Sequence, residues 1–540
     1  MKNPGHISRN TDTGDRTGLT LALLSLSATL LAGCGSNGGD GDGAPVNGVP
    51  DPVPAPEPPA PEPPEAIDVE LRSLITQHEL TGAPDAGRNL PSIDDPVPQL
   101  GKLLFFSKSL GGGFDTACVS CHHPLLGGSD ELSLSVGTGA VEPDVLGTDR
   151  SRADGLPNVP RNAPTIFNSG LHDNGMFWDS RVESIGREYL FNGRGSGIRT
   201  PDTSLFATDL SLAVGSSLPA AQARFPVTSS EEMKATVFEE GSDGETIRAH
   251  LAARIGNYGV GAGELATNGW LAEFQNAFAS ALPAEDLITF SNIAFAIGEY
   301  ERSMNFTNSP WRAYVEGDNA AISNAAKRGA ILFLTSPDAD GFGCHQCHTG
   351  DVFSDGDHHT IGFPSFGPGR GDGNNDDFGR AHETGLNYDR YRFRTPSLLN
   401  VEVTGPYGHA GAYETLDDVV RHYDNQDGRA DNFFDNGGWC QLEQFEGVED
   451  CEDLYPDAQA NTDLALQKLR RERNNLPQDQ QVPQINIDGG ERRDVVDFLE
   501  TLTDPCVLDP VCLAPWIADP ESDGPDGMQL NALDAEGAPL

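Results

Sequence analysis

Two short segments, Cys118-Val-Ser-Cys121-His122 and Cys344-His-Gln-Cys347-His348, decide the fold of this chain. In both, two cysteines three residues apart are followed at once by a histidine. Such cysteines face the same way on a helical turn and can each capture one vinyl group of a haem, while the histidine becomes an axial iron ligand. Chance would give only about 0.004 such segments in a chain of this composition. The motifs therefore predict two covalently bound haem c groups.

Zinc is the other metal that paired cysteines commonly bind. Zinc-binding pairs usually lie about 15–20 residues apart, whereas these two pairs lie more than two hundred residues apart. A thioredoxin-like Cys-x-x-Cys motif would not require the histidine. The wide separation also implies one haem in each of two domains.

The first 34 residues predict export. Three basic residues precede an apolar stretch at 19–31, which is too short to span a membrane as a permanent helix. The small-residue site Leu31-Ala32-Gly33-Cys34 then resembles a bacterial lipoprotein signal, which implies lipid attachment to Cys34; ordinary secretory cleavage nearby is the alternative. Because Gly35 follows the cysteine, the pattern resembles that of outer-membrane lipoproteins, which face the periplasm or the cell surface.

Composition limits the partners of the chain. The formal net charge of −47 would be repelled by nucleic acid and by anionic membranes, so we expect membrane contact through the lipid anchor only. A basic redox partner would suit this charge, as would a generally solvated acidic surface. Residues 35–66 are rich in Gly and Asp and then in Pro, which predicts a semi-rigid spacer.

The body of the chain reads as mainly α-helical. Apolar periodicity predicts helices at 68–80, 284–304, 319–334 and 491–502, and no sustained strand alternation occurs. With 62 Gly and 39 Pro the loops are expected to be long. We expect two cytochrome c-like domains, each with one haem: an N-terminal haem domain at 67–315 and a C-terminal haem domain at 316–518. An acidic tail at 519–540 is expected to be loose.

Four cysteines remain once Cys34 and the two motifs are set aside. They are Cys440, Cys451, Cys506 and Cys512. An even remainder in an exported protein implies disulfides. Three pairings are possible, and proximity favours pairing the first with the second and the third with the fourth; free buried thiols are the alternative.

From about residue 70 to 515 the chain resembles the bacterial di-haem cytochrome c peroxidase and MauG superfamily. Besides the two haem motifs, the landmarks are Arg161-Asn-Ala-Pro-Thr165, Phe177-Trp-Asp179, Arg394-Thr-Pro-Ser-Leu398 and Pro406-Tyr-Gly-His-Ala-Gly411. Any one of these is short, but their order between two haem sites is specific.

By this resemblance the first haem is the peroxide site, with His122 as its proximal ligand. Family peroxidases carry a distal histidine about sixteen residues later, which must leave before peroxide binds. Residues 129–170 contain no histidine. The resemblance therefore implies a five-coordinate, open haem, as in the MauG branch.

The family's distal pocket uses a Gln, a Pro four residues later and a Glu ten residues after the Gln. Gln222, Pro226 and Glu232 reproduce this spacing, although an insertion of about 30 residues separates them from Trp178. Glu232 would move the peroxide proton and Gln222 would orient the peroxide. Glu231 as the base, or a solvated helix start without a catalytic role, is the alternative.

Two further positions match family residues between the haems. Trp178 matches an aromatic residue that carries electrons between them, a role compatible with simple core packing. Asn162 matches a ligand of an interdomain Ca²⁺, joined in the family by backbone oxygens at positions matching Arg394 and Pro396; calcium prefers such donors. An ordinary turn residue at 162 is the alternative.

The second haem, on His348, needs another axial ligand. Family peroxidases use Met, but no Met lies between Cys344 and Met528. MauG-like members use Tyr, and the matching spacing indicates Tyr413, with Tyr423 as the second option and an ordinary packed Tyr413 as the alternative. An oxygen donor stabilises oxidised iron. The nearby histidines are interpreted as solvated loop residues rather than metal ligands; they are His358, His359 and His382.

These features predict an oxidoreductase that reduces hydrogen peroxide at the N-terminal haem with electrons from a cytochrome or protein donor. A MauG-like enzyme would instead oxidise Trp or Tyr side chains of a partner protein. An electron-transfer cytochrome without peroxide chemistry is the third hypothesis, and it predicts two six-coordinate haems.

Overall fold

The computed structural model describes residues 65–195, 197–202, 217–477 and 481–540. Residues 63–540 form one compact unit. The predicted signal peptide, the predicted lipidation site Cys34 and nearly all of the predicted linker lie outside the described residues.

The described chain is mainly helical, as predicted, with long connecting loops. The helices are α1 (Ala66–Gln77), α2 (Pro96–Phe106), α3 (Leu218–Gln222), α4 (Gly244–Gly256), α5 (Trp270–Ala277), α6 (Ala284–Leu287), α7 (Phe290–Ser303), α8 (Pro310–Glu316), α9 (Asn324–Leu334), α10 (Ala381–Thr384), α11 (Leu416–Asp424), α12 (Gln426–Asp435), α13 (Ala458–Asn475), α14 (Gly489–Glu500) and α15 (Pro510–Leu513). The strands are β1 (Gly175–Met176), β2 (Val182–Ser184), β3 (Ile198–Arg199), β4 (His358–His359) and β5 (Phe393–Arg394). Two small antiparallel sheets result, one ordered β1-β2-β3 and one pairing β4 with β5.

Capping residues decide where the helices begin. The predicted helix at 284–304 is two helices, because the Thr289 hydroxyl accepts a hydrogen bond from the Asn292 backbone N–H and starts α7. Ser323 caps α9 in the same way, so that helix starts five residues later than predicted. Asp488 and Glu491 form a reciprocal capping box at the start of α14.

Each haem motif lies beside a pair of helices that cross at a glycine. A Cβ on Gly101 of α2 would lie 2.0 Å from the Ala296 carbonyl oxygen of α7. A Cβ on Gly329 of α9 would lie 1.8 Å from the Asp494 carbonyl oxygen of α14. Glycine therefore permits backbone contact at both crossings. Around these pairs lie two separate apolar cores, the first containing Val119 and the second Phe333.

The two apolar cores do not coincide with the two sequence ranges that were predicted as domains. Leu71 and Ile75 of α1, with Trp311 and Tyr314 of α8, belong to the second core. The segment after α14 returns to the first core, where Leu530 is 1% exposed. Both chain ends of the described body thus pack across the predicted boundaries at 67–315 and 316–518.

The acidic tail is not loose, contrary to the sequence expectation. The buried Asp526 carboxylate accepts hydrogen bonds from the Trp270 indole N–H at 2.7 Å and the Ser107 hydroxyl at 3.2 Å. The Leu530 N–H donates to the Phe106 carbonyl at 2.8 Å. Apolar residues between the acidic ones also attach the tail to the body. The acidic charge of the tail gave no sign of this packing in the sequence.

Two disulfides join the four remaining cysteines in the pairing that proximity favoured. They are Cys440–Cys451 and Cys506–Cys512. The first closes a third apolar cluster around Phe366, Trp439 and Phe445.

Packing of the tail predicts a large stability effect for Leu530→Ala. Emptying this buried site should lower the free energy of unfolding by about 2–5 kcal/mol. Leu540→Ala is the matched control, since that leucine is 38% exposed, and it should cost less than about 0.5 kcal/mol. Denaturant unfolding of the haem-loaded protein measures both; equal, small effects would contradict a packed tail.

Candidate haem sites

The first motif lies on a short 3₁₀ turn, Cys118–Ser120. The His122 Nδ1 lies 3.3 Å from the Gly128 carbonyl oxygen. With a proton on Nδ1, this contact leaves the Nε2 lone pair free for iron. Burial lowers the pKa of His122 to about 4, which keeps the ring neutral. Gly128 has φ +69°, and a Cβ there would lie 2.9 Å from the Thr165 hydroxyl, so glycine is required.

The second motif repeats this arrangement. Cys344–Gln346 form a 3₁₀ turn, and the His348 Nδ1 lies 3.0 Å from the Phe353 carbonyl oxygen. Burial lowers the pKa of His348 as well. In both motifs, a backbone carbonyl that follows the motif therefore holds the neutral histidine with its Nε2 lone pair free to bind iron.

The motif cysteines suit covalent haem attachment. Among the described cysteines, only the four motif thiols are free. Burial raises the pKa of the Cys118 and Cys344 thiols to about 12. Protonated thiols and neutral imidazoles are the groups that vinyl addition and iron ligation need, so these residues fit haem c.

An apolar cavity adjoins the second motif, and its lining contains one of the two candidate tyrosines. Tyr423 on α11 lines this cavity together with His348. Tyr413 is absent from this lining, and its hydroxyl is hydrogen-bonded to His422 Nδ1 at 2.9 Å. The second option of the sequence analysis, Tyr423, thus has the better position for a ligand, and the identity of the ligand stays a prediction.

Glu232 lies against the loop that follows the first motif. It sits in a single π-helical turn, Ser230–Lys234, a feature common at functional sites. A Cβ on Gly137 would lie 2.7 Å from the Glu232 carbonyl oxygen, so the two segments touch. The carboxylate lies 3.6 Å from Arg181. Burial raises the pKa of Glu232, while Arg181 acts in the opposite direction.

The other distal candidates occupy less informative positions. Glu231 is exposed, and the Ser229 hydroxyl donates to its carboxylate at 3.1 Å. Gln222 ends α3 and is partly buried. No hydrogen bond of its side chain is recorded within the described ranges. The structure therefore favours Glu232 over Glu231 and leaves Gln222 as a prediction.

Trp178 is held on both sides by backbone groups. Its indole N–H donates to the Asn162 carbonyl at 2.9 Å, and its own carbonyl accepts the Arg394 N–H at 2.8 Å. Its neighbour Phe177 stacks under Arg181, the partner of Glu232, at 3.6 Å. Trp178 also lines the second cavity. The segment therefore reaches from the first site to the second.

The predicted calcium residues come together, although no oxygen cage is defined. Asn162, Arg394 and Pro396 all line the second cavity. The Asn162 side-chain amide donates to the Leu132 carbonyl at 2.9 Å. A calcium site here stays a prediction.

An ion-pair network around Trp178 was not foreseen. The fully buried Asp179 carboxylate lies 2.7 Å from Arg161 and 3.1 Å from Arg370, and Arg161 also lies 2.7 Å from Asp377. Burial alone would raise the pKa of Asp179, but Arg161 and Arg181 hold it below its ordinary value. Arg161 and Asp179 each belong to a landmark motif of the sequence, whereas no spacing pointed to the segment around 370–377.

Two of the three loop histidines are less solvated than expected. His358 and His359 form β4, where they bond to Ser180 and Asp355 respectively. Cys347, Asp355 and His359 present ligand atoms within 4.8 Å of one another. Because Cys347 belongs to the second haem motif, this group is not a separate metal site. His382 lies in α10 and is exposed, as expected.

No helix within the described ranges is both long and apolar enough to cross a membrane.

Comparisons with known proteins point to the family that the motifs resemble. Residues 97–320 match a family model described as di-haem cytochrome c peroxidase. The chain is 27% identical over 324 residues to the methylamine utilization protein MauG of Methylorubrum extorquens, covering 60% of this chain and 67% of that protein. It is also 27% identical over 329 residues to the cytochrome c551 peroxidase of Pseudomonas aeruginosa, covering 61% and 71%.

Two solved structures also match the chain. A MauG-like protein associated with microbial copper homeostasis matches with 20% identity and a TM-score of 0.47, over 80% of this chain and 95% of that one. The di-haem peroxidase BthA of Burkholderia thailandensis matches with 19% identity and a TM-score of 0.45, over 83% and 92%.

The chain is thus similar to the di-haem cytochrome c peroxidases and MauG proteins, which are haem oxidoreductases. The resemblance inferred from the motifs is confirmed.

Removing the charge of Asp179 should destabilise the protein strongly. In Asp179→Asn the buried guanidinium groups lose a partner, and we expect a loss of about 3–5 kcal/mol at neutral pH. A carboxyl whose pKa is lowered in the folded state stabilises above its unfolded pKa of about 3.9, and this stabilisation disappears as the pH falls toward the folded value. The stability of the variant should therefore depend less on acid pH than that of the wild type.

Asp357→Asn is the matched control for this experiment. Asp357 pairs with Arg187 but its side chain is 57% exposed, so the change should cost about 0–1 kcal/mol. Denaturant unfolding of the haem-loaded proteins at several pH values measures both effects. Equal losses in the two variants would show that the network contributes no more than a surface pair.

Proposed function

We propose that the chain reduces hydrogen peroxide at the site of the first motif and draws electrons from a cytochrome or protein donor. The observation that carries the proposal is Glu232, a partly buried carboxyl with a raised pKa, docked on the loop after His122. Haem iron, when bound there, would supply the redox chemistry of O–O cleavage. The overall balance is H₂O₂ + 2 H⁺ + 2 e⁻ → 2 H₂O.

Glu232 would move the proton within this site. Its carboxylate would take a proton from one peroxide oxygen and return it to the other, which would leave as water. A carboxyl with a raised pKa suits both transfers, because its two protonation states are closer in free energy near neutral pH. Arg181 keeps the side chain in place, and Gln222 is proposed to orient the peroxide.

Trp178 is proposed to pass electrons between the two sites. One hydrogen bond holds its indole and the other holds its backbone carbonyl, and the residue connects the Arg181 side of the first site with the second cavity. Asn162, Arg394 and Pro396 are the proposed residues for a Ca²⁺ that would stabilise this junction.

Tyr423 is proposed as the second axial ligand of the haem on His348. Burial raises the pKa of its phenol, so its proton would leave only when a cation such as iron replaces it. An oxygen ligand favours oxidised iron and hence storage of an oxidising equivalent. This feature supports the second candidate function, MauG-like oxidation of Trp or Tyr side chains on a partner protein.

Residues 1–34 are proposed to direct export, with lipid attachment at Cys34 to the outer membrane. The spacer at 35–66 would then separate the haem body from the lipid surface.

Glu232→Gln tests the proton-transfer role. The reaction of the oxidised protein with stoichiometric peroxide, followed by haem absorbance, should slow by about 100- to 10,000-fold. Glu231→Gln is the matched control, because that carboxylate is exposed, and should react at the wild-type rate. An unchanged rate in Glu232→Gln would exclude the proposed role. A wild-type protein that does not react with peroxide would leave an electron-transfer cytochrome.

Tyr423→Phe and Tyr413→Phe identify the second ligand. Loss of the ligand should convert the low-spin ferric signal of the second haem to high spin in the electron paramagnetic resonance spectrum. We expect this change in Tyr423→Phe and an unaltered spectrum in Tyr413→Phe, which loses only the bond to His422. The opposite pattern would restore Tyr413 as the ligand.

A further inference from the structure

Three aromatic rings form a row from the interior to the surface of the described body. The centroids of Phe167 and Phe306 lie 5.0 Å apart at 75°, and those of Phe306 and Trp516 lie 5.0 Å apart at 68°. Edge-to-face contacts of this kind are favourable and leave no gap between the rings. None of the three residues has a role in the proposed peroxide reaction.

The inner end of the row touches both haem sites. Phe167 lines the second cavity together with Trp178. Its ring would also lie 3.0 Å from a Cβ on Gly128, whose carbonyl holds the His122 Nδ1. Phe167 is thus in contact with the backbone that orients one histidine and with the cavity of the other.

The middle of the row is fixed by two buried asparagines. The Phe306 carbonyl accepts hydrogen bonds from the side-chain amides of Asn168 and Asn400, each at 3.0 Å. The Asn168 side-chain oxygen accepts the Phe306 N–H at 2.8 Å. Phe306 therefore has little freedom to leave its neighbours.

The outer end of the row reaches solvent. Trp516 is partly buried. Its indole N–H donates to the Ser303 hydroxyl at 3.0 Å, and its carbonyl accepts the Tyr300 hydroxyl at 2.7 Å. Trp270, Trp311 and Trp439 are all buried. Within the described residues, Trp516 is therefore the one tryptophan besides Trp178 with appreciable solvent access.

We propose that Trp516 is a surface oxidation site, at which one-electron donors too large for the haem cavities are oxidised through the Phe306–Phe167 contacts. The inference rests on the proposed peroxide reaction, which supplies the oxidising equivalents. The phenylalanines are not themselves oxidised; their rings replace empty space and so improve electronic contact between Trp516 and the haem sites. The substrate class is a cationic or neutral electron donor, such as a basic cytochrome, because the net charge of −47 repels anions.

The electron balance is complete. Each oxidising equivalent takes one electron from the Trp516 indole, and the donor then returns one electron to the indole. Ser303 is a weak proton acceptor, so the indole keeps its proton throughout. Two donors DH supply two electrons and two protons, giving H₂O₂ + 2 DH → 2 D• + 2 H₂O; a metalloprotein donor supplies electrons only, and solvent supplies the protons.

The test uses the full haem-loaded chain with hydrogen peroxide and a reduced, basic cytochrome c as the probe. Trp516→Phe should slow cytochrome oxidation by about tenfold or more, while the haem absorbance response to peroxide alone keeps its wild-type rate. Trp516→Tyr, which restores an oxidisable ring, should recover part of the loss. Trp311→Phe is the matched control, since that indole is buried and its N–H has no partner, and it should behave as wild type.

A second measurement needs no variant. Wild-type protein treated with peroxide without a donor should gain oxygen at Trp516, detected by peptide mass spectrometry, in preference to Trp270, Trp311 and Trp439. Wild-type cytochrome oxidation by Trp516→Phe, or oxygen gain elsewhere only, would overturn the surface site while leaving peroxide reduction intact. A wild-type chain whose haem absorbance ignores peroxide would overturn both.

Discussion

The buried carboxylate of Asp179 is the contact on which the region between the two haem sites depends. It neutralises Arg161 and Arg370 in a position that solvent does not reach. Arg161 precedes Asn162, whose carbonyl holds the Trp178 indole, and Asp179 itself follows Trp178. The position of this tryptophan is therefore set by charges on both sides of it. A buried charge without its partner costs several kcal/mol, so the segments around 161, 179 and 377 must assemble together.

The two haem sites are alike around the motif histidine and differ in the other groups that surround them. In both, a backbone carbonyl a few residues after the motif fixes the histidine tautomer, which is a local consequence of the turn. Near the first motif lies Glu232, a carboxyl with a raised pKa that pairs with Arg181. The second motif adjoins an apolar cavity that has the Tyr423 phenol in its lining. A carboxyl at one site and a phenol at the other suit the two different tasks proposed for them, one cleaving a bond and one storing charge.

Local features of this fold could be predicted from the sequence, and non-local ones could not. The haem motifs, the helical content and the disulfide pairing follow from spacings shorter than twelve residues. A fixed offset along the chain points to Tyr413, whereas the tyrosine that lines the cavity is set by the face of α11 that meets it. Helix α11 presents Tyr423 to the cavity, while His422 binds the Tyr413 hydroxyl.

Long-range charge pairing could not be predicted from the sequence for a similar reason. The partners Asp179 and Asp377 of Arg161 lie 18 and 216 residues away along the chain. Acidic residues are so numerous that no single one stands out, and the 519–540 tail looked loose on charge alone. Its attachment depends on Leu530 and on Asp526, an acidic residue that is itself buried against Trp270. Composition cannot separate such a residue from its solvated neighbours.

The distribution of charge has a consequence for partners. Many of the few cationic side chains are withdrawn into the body, among them Arg150, Arg161, Arg224, Arg248, Arg254, Arg302, Arg380 and Arg394. The surface is therefore more acidic than the ratio of 35 basic to 82 acidic residues suggests. Such a field attracts cationic donors and weakens as salt screens it within about 10 Å at 0.1 M ionic strength. The approach of a neutral peroxide molecule does not depend on that field. Salt should consequently separate the two halves of the proposed reaction, because only the encounter with the electron donor depends on charge.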